Sequence, residues 1–281
     1  MPVHSTADKR RAFRELHASG CFVIPNPWNV GTARYLQSLG FKALATTSSG
    51  YAHAQGYADG EVTRDMVLAH YREMAAVAEI PVNADFEGGF ADNPDEVAGN
   101  VRLCVETGVA GLSIEDYTGD SNAPLYDFDM AVKRVRAARA AIDKAGGDFV
   151  FTARTEGFIH GLPDMDETIR RLKAYADAGA DCLYAPGIKT REQIEAVVKA
   201  VAPKPINLLM SAASGLTVKD IAEMGVRRIS VGGTLARVAM HAFIKSAKEI
   251  AEDGTFNRFA GVISNAELNA VFDAGPKSPT T

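Results

Sequence analysis

Residues 106–116 read ETGVAGLSIED, and this short pattern decides the fold of the chain. A helix-like run ends at Gly108, and an almost continuously apolar segment then leads to two acids. Glycine suits a helix end because it adopts positive φ without strain, and strands covered on both faces are nearly all apolar. The pattern recurs as SLGFKALATTS at 38–48, DAGADCLYAPG at 177–187 and EMGVRRISVGG at 223–233. Each copy predicts a helix that ends at glycine and is followed by a buried strand.

Further apolar runs lie between these copies and bring the number of strand candidates to eight. They are CFVIPNP at 21–27, IPVNADF at 80–86, DFVFTAR at 148–154 and PINLLMS at 205–211. The intervening segments carry helical signals. Residues 93–108, for example, begin with an asparagine cap and a proline in the first turn, and then place valines on one stripe. Strands that alternate with helices predict a parallel sheet.

Eight such units in 281 residues favour an α/β fold, a closed (β/α)8 TIM-type barrel. A doubly wound open sheet is the alternative, and it requires a glycine-rich fingerprint after its first strand. Residues 23–31 read VIPNPWNVG and carry no such fingerprint. We therefore expect a catalytic barrel over residues 1–250. A C-terminal helical extension with a flexible polar tail is expected over 251–281.

The composition excludes several classes of protein. The chain is 47% hydrophobic and 23% charged, with a net charge of −5 and no basic run that would indicate nucleic-acid binding. No apolar stretch approaches the roughly 20 residues that span a bilayer, and no signal peptide is recognised. The three cysteines are an odd number, far apart and in apolar sequence. They indicate free thiols in a reducing compartment, and we expect a cytoplasmic protein.

Polar residues collect where the predicted strands end. In a (β/α)8 barrel this end carries the active site, whereas the opposite strand ends here are almost free of acids. In strand order, the polar or glycine-rich ends are Asn26 with Trp28, residues 46–50, Asp85 with Glu87, Glu115 with Asp116, residues 154–156, Tyr184, Ser211, and Gly232 with Gly233.

The acids among these residues would place several negative charges close together. Asp85 and Glu87 lie on one face of an extended chain, and with Glu115 they would converge near the barrel axis opposite Arg154. Three crowded carboxylates stay ionised only if a positive group compensates them. Hard oxygen ligands without a His or Cys cluster favour Mg²⁺ or Mn²⁺. The alternatives are a polar strand end beside a glycine turn, and a structural ion pair between Arg154 and Glu115.

The order of motifs resembles that of the isocitrate lyase/phosphoenolpyruvate mutase superfamily. The motifs are SLGFKALATTSSG, GYADGE, NADFEGGF, GLSIED and ARTEGF, and the similarity extends over roughly residues 10–250. The nearest branch is that of short bacterial proteins labelled methylisocitrate lyase or phosphonomutase. The resemblance implies a barrel that exchanges its last helix between subunits, forming a homodimer or homotetramer. It also implies Mg²⁺, a small 2-oxo or 2-hydroxy acid as substrate, and an enolate.

The resemblance also implies roles for individual residues. Asp85 corresponds to a direct metal ligand, and Arg154 to the arginine that binds a substrate carboxylate or phosphonate. The acids that reach the metal largely through water correspond to Glu87, Glu115 and Asp59. The loop that holds the substrate carboxylate corresponds to Thr47, Ser48 and Ser49. We accordingly expect Arg154, Glu115 and Ser48 to act in catalysis and Asp85 to contact substrate as well as metal.

One departure from the family concerns the proton donor. Isocitrate and methylisocitrate lyases carry a Lys-Lys-Cys-Gly-His motif after strand four, with the cysteine as general acid. Residues 116–129 read DYTGDSNAPLYDFD instead, which argues against a classical methylisocitrate lyase. Asp120, Ser121 and Asn122 within this stretch are either a mobile lid over the substrate or an ordinary solvated loop.

Five further residues are weaker candidates. His53, next to the serine loop, is a possible acid or base, and Tyr51 and Tyr184 are candidates for proton transfer. Trp28 either walls the substrate pocket or packs in the core, and Ser211 and Tyr184 end strands at the substrate side.

The expected function is an Mg²⁺-dependent carbon–carbon lyase. It would cleave a small 2-hydroxy or 2-oxo di- or tricarboxylic acid and release pyruvate or a related oxo acid, with decarboxylation of oxaloacetate-like acids included. The alternatives are a phosphonopyruvate-type mutase or hydrolase, and a barrel that binds a dicarboxylate without turnover. A lysine able to manage a transferring phosphoryl group is not found at the predicted mouth.

Overall fold

In the computed structural model, which describes residues 5–273, eight parallel strands form one sheet. The strands are β1 (Phe22–Ile24), β2 (Leu44–Ala45), β3 (Val82–Asp85), β4 (Gly111–Glu115), β5 (Val150–Arg154), β6 (Cys182–Tyr184), β7 (Ile206–Leu209) and β8 (Arg228–Ser230). Their order is β1-β8-β7-β6-β5-β4-β3-β2. The remaining gap, between β1 and β2, is bridged by the Ala45 amide, which donates to the Pro25 carbonyl at 3.1 Å. The predicted (β/α)8 barrel is confirmed.

Helices alternate with the strands and cover the outside of the barrel. They are α1 (Thr6–Ala18), α2 (Val30–Ser38), α3 (Ser48–Gln55), α4 (Arg64–Val77), α5 (Pro94–Val105), α6 (Phe128–Ala145), α7 (Met165–Asp177), α8 (Arg191–Val201), α9 (Val218–Glu223), α10 (Thr234–Asp253) and α11 (Asn265–Asp273). The cap predicted from sequence is present, since Asn93 accepts a hydrogen bond from the Asp95 amide at 2.8 Å and Pro94 opens α5.

The four recurring glycines do end their helices in the left-handed region. Gly40, Gly108, Gly179 and Gly225 have φ of +88°, +92°, +103° and +87°. At Gly179 a side chain is also excluded by space, because a Cβ would lie 2.5 Å from Cγ of Arg139. Glycine recurs in this pattern because the backbone at each helix end requires positive φ. This requirement explains why the pattern predicts the fold.

The amino-terminal ends of the strands are closed by α1, which forms the floor of the barrel. Phe13 of α1 is completely buried against the starts of three strands, at Phe22, Ala43 and Val150. This apolar floor separates the barrel interior from solvent at one end. Solvent and ligands can therefore approach the strands from the carboxyl end.

The C-terminal region contains two helices around the boundary predicted at residue 250. Helix α10 continues to Asp253, and after a 3₁₀ turn α11 lies against α2 of the same chain. There, Arg34 donates to the Phe272 carbonyl at 2.9 Å. The two-part division and the helix exchange between subunits stay predictions, and residues 274–281 of the expected tail lie outside the described residues.

Two other expectations concern thiols and membranes. Cys21, Cys104 and Cys182 are all free, and the last two are buried. In the described part of the chain, no helix has the length and apolar character needed to cross a membrane.

A histidine on the barrel floor is held in its neutral form. Nδ1 of His17 lies 2.7 Å from the Phe13 carbonyl, and Nε2 lies 3.3 Å from Nη1 of Arg228. Because arginine has only donors, Nε2 is the acceptor and the proton is on Nδ1. Burial, followed by the charge of Arg228, lowers the pKa of His17 to about 3. The buried neutral His17 therefore stabilises the fold fully above the pKa of the unfolded imidazole, about 6.5. This stabilisation is lost as pH falls towards the folded pKa.

We expect His17→Gln to weaken the acid sensitivity of the fold, since glutamine offers a donor and an acceptor but does not titrate. Between about pH 6.5 and pH 5 the wild type should lose about 2 kcal/mol more unfolding free energy than the variant. Urea unfolding at both pH values measures this difference. Equal losses in the two proteins would contradict the assignment.

Candidate active site

Arg154 lies at the carboxyl end of the barrel and contacts three carboxylates. Its Nη1 is 2.7 Å from Asp85, its Nη2 is 3.1 Å from Glu115, and its Nε is 2.9 Å from Glu156. The ring of Tyr184 lies 5.0 Å from the guanidinium carbon. Strand register produces this arrangement, because Glu115, Arg154 and Tyr184 are direct neighbours across β4, β5 and β6. The ion pair expected as the alternative to a metal site is therefore present, and it includes more than one acid.

Asp85 is fixed by its second oxygen and by its backbone. Oδ2 accepts the Ser48 amide at 3.0 Å, so the carboxylate faces the amino terminus of α3, whose cap is Thr47. Such a terminus favours negative charge. The Asp85 amide donates to Oγ1 of Thr46 at 2.9 Å, and the Tyr71 hydroxyl donates to the Asp85 carbonyl at 2.5 Å. The position of this carboxylate is therefore set by groups from β2, α3 and α4.

Among the described residues, the Glu87 carboxylate is not held by hydrogen bonds of the kind that fix Asp85. It occupies the left-handed region with φ of +45°, and its buried Oε1 has no hydrogen-bond partner within the described residues. Burial, followed by the charges of Asp85, Glu115 and Asp59, raises its pKa to about 8. An orphaned carboxylate oxygen in a strained backbone is unfavourable by itself and indicates that the site is built for a further partner.

The site as a whole has more acids than it can neutralise. Around the single guanidinium lie the carboxylates of Asp59, Asp85, Glu87, Glu115 and Glu156. Burial is the largest cause that raises the pKa of Glu115 to about 8, against the opposing effect of Arg154. Burial also raises the pKa of Asp59, with Asp85 as the next cause. The residues require protons or a cation to offset their charge.

The donor set suits an ion that keeps much of its water. Between residues 5 and 273, no three His, Cys, Asp or Glu side chains converge into a closed ligand cage. Mg²⁺ uses one or two carboxylates and retains several waters, so it does not require such a cage. The orphaned Glu87 oxygen and the surplus of carboxylates are the features that fit this ion.

Two adjoining cavities open above and beside these acids. The mouth cavity, of about 530 Å³, is lined by the acid cluster and by the loops after β4 and β5. The inner cavity, of about 180 Å³, extends from the same cluster towards the barrel axis. Nine of the residues predicted from sequence line one or both of them: Thr47, Ser48, Ser49, Asp59, Asp85, Glu87, Glu115, Arg154 and Tyr184.

Four predicted residues are not brought to this site. Trp28 and His53 line a different cavity against α10. Tyr51 turns towards the helix layer, where its hydroxyl donates to the Met66 carbonyl at 3.3 Å. Ser211 lines a cavity beside the loop after β7. Tyr51 and His53 lie away from the mouth because Ser48 and Ser49 already form the first turn of α3. The side chains that follow point in directions set by the helical period.

Asp116 has a different role from its neighbour Glu115. One oxygen accepts the Tyr175 hydroxyl at 2.6 Å and Nη1 of Arg171 at 3.1 Å, and the other accepts the Glu156 amide at 2.9 Å. The side chain is buried behind the strands and not at the mouth. It therefore braces the turn that carries Glu156.

Two aromatic residues of the mouth cavity were missed from sequence. Tyr117 and His160 come from the loops after β4 and β5, and their rings stack with centroids 3.9 Å apart and an interplanar angle of 6°. The signal available was the segment FIHG, which directly follows the ARTEG motif. The expected lid is a compact exposed turn beside them, in which Oδ1 of Asp120 accepts the Asn122 amide at 2.8 Å.

Comparison with known protein families shows a match over most of the chain. Residues 13–251 match the family model described as phosphoenolpyruvate phosphomutase. An uncharacterised protein of Mycobacterium tuberculosis is 30% identical over 262 residues, 92% of this chain and 95% of that protein. The 2-methylisocitrate lyase of Escherichia coli K12 is 32% identical over 67% of this chain and 64% of its own. The oxaloacetate decarboxylase of Paraburkholderia xenovorans is 28% identical over 90% and 85%.

Solved structures agree with this match. A protein of Burkholderia cenocepacia J2315, described as a candidate lyase/mutase, has a TM-score of 0.92 and 46% identity over 98% of this chain and 99% of its own. Oxaloacetate acetylhydrolase with the product oxalate has a TM-score of 0.83 and 28% identity, with 96% of each chain covered. Phosphonopyruvate hydrolase with oxalate and Mg²⁺ also has a TM-score of 0.83 and 28% identity, with 95% of each chain covered.

We expect Glu87→Gln to stabilise the protein when no divalent cation is present. Because the folded pKa is raised, the contribution of Glu87 to stability is full below the unfolded pKa near 4.3 and is lost as pH rises towards the folded value. At about pH 8 the variant should therefore gain about 1–3 kcal/mol of unfolding free energy over the wild type, and much less at about pH 5.

Urea unfolding in the presence of a chelator measures this gain. Glu73→Gln, on the exposed face of α4, is the matched control and should change stability by less than about 0.5 kcal/mol. The interpretation of Glu87 is refuted by a variant that is less stable than the wild type at the higher pH.

Proposed function

Because the chain belongs to the phosphoenolpyruvate mutase family, within the isocitrate lyase/phosphoenolpyruvate mutase superfamily, we propose that it is a divalent-cation-dependent carbon–carbon lyase. Its substrate is a small 2-hydroxy or 2-oxo di- or tricarboxylic acid, which is cleaved through an enolate to pyruvate or a related oxo acid. Decarboxylation of an oxaloacetate-like acid is included. The observation that carries the proposal is the surplus of carboxylates around Arg154 at the mouth of the barrel.

The cation, Mg²⁺ or Mn²⁺, would be held by Asp85 directly and by Glu87, Glu115 and Asp59 largely through water. The orphaned Glu87 oxygen and the raised pKa values of three of these acids support this assignment. When bound, the ion supplies Lewis-acid withdrawal of charge from the reacting oxo acid.

The substrate carboxylate would be held by Arg154 and by the start of α3. Arg154 has five N–H donors and contacts the protein through three nitrogens, which leaves donors for a substrate. The Ser48 amide is already bound to Asp85, but the Ser49 amide and the hydroxyls of Ser48 and Ser49 at the helix terminus suit an anion, and both residues line the inner cavity. These groups orient the acid so that the bond to be broken lies in the mouth cavity, away from bulk water.

Each alternative function requires different residues at the site. A phosphonopyruvate-type mutase or hydrolase is favoured by the similarity to phosphonopyruvate hydrolase, but no lysine of the described chain lines either cavity. A classical methylisocitrate lyase requires a cysteine at the mouth, and none of the three cysteines lines the two cavities. A non-catalytic dicarboxylate-binding barrel has no need of the surplus acids.

The assembly expected from the family is a cytoplasmic homodimer or homotetramer with exchanged helices. The surface of α10 supports an interface between copies. Of its twenty described residues, Ala236 is the one that is buried, while Val238 and Phe243 are 62% and 66% exposed. Apolar surface of this extent on one helix is typical of a protein–protein contact.

A panel of oxo and hydroxy acids tests the proposed function. We expect Mg²⁺-dependent release of pyruvate or another oxo acid from at least one malate-, citrate- or oxaloacetate-type compound. Asp85→Asn should lower kcat/KM by about 100-fold or more, because it weakens the binding of the cation and removes an ion pair that positions Arg154. Asp129→Asn, at the exposed start of α6, is the control and should retain wild-type activity.

Three results would count against the lyase. Phosphate release from phosphonopyruvate would indicate the hydrolase, and stabilisation by oxalate without turnover of any compound would indicate the binding protein. An Asp85→Asn variant with unchanged Mg²⁺ affinity and turnover would reject the site itself.

A further inference from the structure

A lyase of the proposed kind needs a proton donor that the acid cluster does not obviously supply. When the carbon–carbon bond breaks, its electron pair is left on one fragment as an enolate. This fragment is the oxo acid when a 2-oxo acid loses CO₂, and the departing carboxylic acid when a 2-hydroxy acid is cleaved and its hydroxyl becomes the oxo group. In both cases a proton must then reach the enolate carbon. The segment after β4 contains no Cys, Lys or His between residues 116 and 129. The donor must therefore come from another part of the mouth.

Most titratable groups of the mouth cavity are already engaged. Glu115 and Glu156 contact Arg154, which stays protonated at all relevant pH values. Asp92 accepts the hydroxyl hydrogen of Tyr126. The other two acids of the lining are those of the proposed cation site, Asp59 and Glu87.

His160 and Tyr117 are the two groups that remain. Of these, histidine is the usual acid–base residue near neutral pH, and the position of His160 is well defined. Its amide donates to the carbonyls of Glu156 and Gly157 at 3.2 Å each, so it ends a helical turn that begins at the catalytic cluster. The stacked ring of Tyr117 fixes the plane of the imidazole. Within the described residues, neither ring nitrogen of His160 makes a hydrogen bond to the protein. Both nitrogens are therefore available to a molecule in the mouth cavity.

The charges that face the imidazole come from two strands. Burial lowers the pKa of His160, Asp116 after β4 opposes this, and Arg154 at the end of β5 lowers it further. Because the pKa of His160 is lowered, its imidazolium is a stronger acid than that of an unperturbed histidine, which suits a group that gives a proton to carbon.

From this geometry we propose that His160 is the acid–base residue of the reaction, with Tyr117 as its positioning residue. In the cleavage direction the imidazolium N–H gives its proton to the enolate carbon. The carbon–carbon double-bond electrons form the new C–H bond, the carbonyl is restored, and the neutral imidazole regains a proton from water. This inference rests on the proposed lyase function and names the donor that replaces the missing loop cysteine.

Solvent exchange at the enolate carbon of the product tests the proton transfer separately from bond cleavage. Wild-type enzyme with Mg²⁺ and the products of the best substrate is incubated in D₂O. Loss of protons is followed by NMR at C3 of the oxo acid for a decarboxylated 2-oxo acid, and at the α-carbon of the released carboxylic acid for a cleaved 2-hydroxy acid. His160→Gln should lower the exchange rate by about 100-fold or more, the usual size of a general acid–base effect. Its affinity for oxalate, measured by calorimetry, should stay within about threefold of the wild-type value, since oxalate needs no proton. Added imidazole should restore part of the exchange in His160→Ala.

The outcomes separate this inference from the function on which it rests. Exchange at the wild-type rate in His160→Gln, in an enzyme that turns over its substrate, would overturn the role of His160 alone. Loss of exchange in Tyr117→Phe but not in His160→Gln would assign the proton to the tyrosine and also overturn it. Wild-type protein that neither exchanges nor cleaves any acid would overturn the lyase and this inference together.

Discussion

The ion contacts of Arg154 are the constraint on which the carboxyl end of the barrel depends. One buried guanidinium is shared by acids from β3, from β4 and from the turn after β5. Removal of one partner of a buried ion pair typically costs about 3–5 kcal/mol, because the other charge is left uncompensated. The register of β4 on β5 places Glu115 beside Arg154, so the same pairing that closes the barrel also assembles the site. Asp116 connects this site to the outer helices, since it accepts hydrogen bonds from the Glu156 amide and from Tyr175 of α7.

The site contains unfavourable features, because its acids outnumber the groups that could compensate their charge. Glu87 combines a left-handed backbone with a buried oxygen that lacks a partner. In a stable core both features are rare, and they cluster at functional sites where a ligand later compensates them. The unbalanced charge and the proposed cation site are thus two descriptions of one arrangement.

The sequence allowed the backbone and the acids to be predicted, but not every side-chain direction. Four glycines with positive φ repeat before the strands, and buried parallel strands are recognisable as apolar runs, so the barrel follows from local chemistry. Adjacent residues on a strand point to opposite sides, which separates Glu115 at the mouth from Asp116 behind it. The structure places Tyr51 and His53 outside the lining of the mouth and inner cavities, because α3 begins shortly after β2 and its side chains follow the helical period. His160 was not predicted, since it lies in a short turn outside the long helices, where the Leu162 amide donates to the Gly157 carbonyl and no hydrophobic period indicates the direction of its side chain.

The barrel axis carries a buried guanidinium at each end, and the two are compensated in opposite ways. At the floor, Arg228 donates to the neutral Oδ1 of Asn207 at 2.8 Å and meets the neutral His17. Arg228 has no carboxylate among its hydrogen-bond partners in the described residues, and burial, followed by the charge of Arg228, keeps the histidine beside it unprotonated. At the mouth, Arg154 is outnumbered by carboxylates, so that end keeps a net negative charge. The inner cavity lies between these two guanidinium groups. The proposed cation site is at the mouth because that is the end at which the arginine has acidic neighbours.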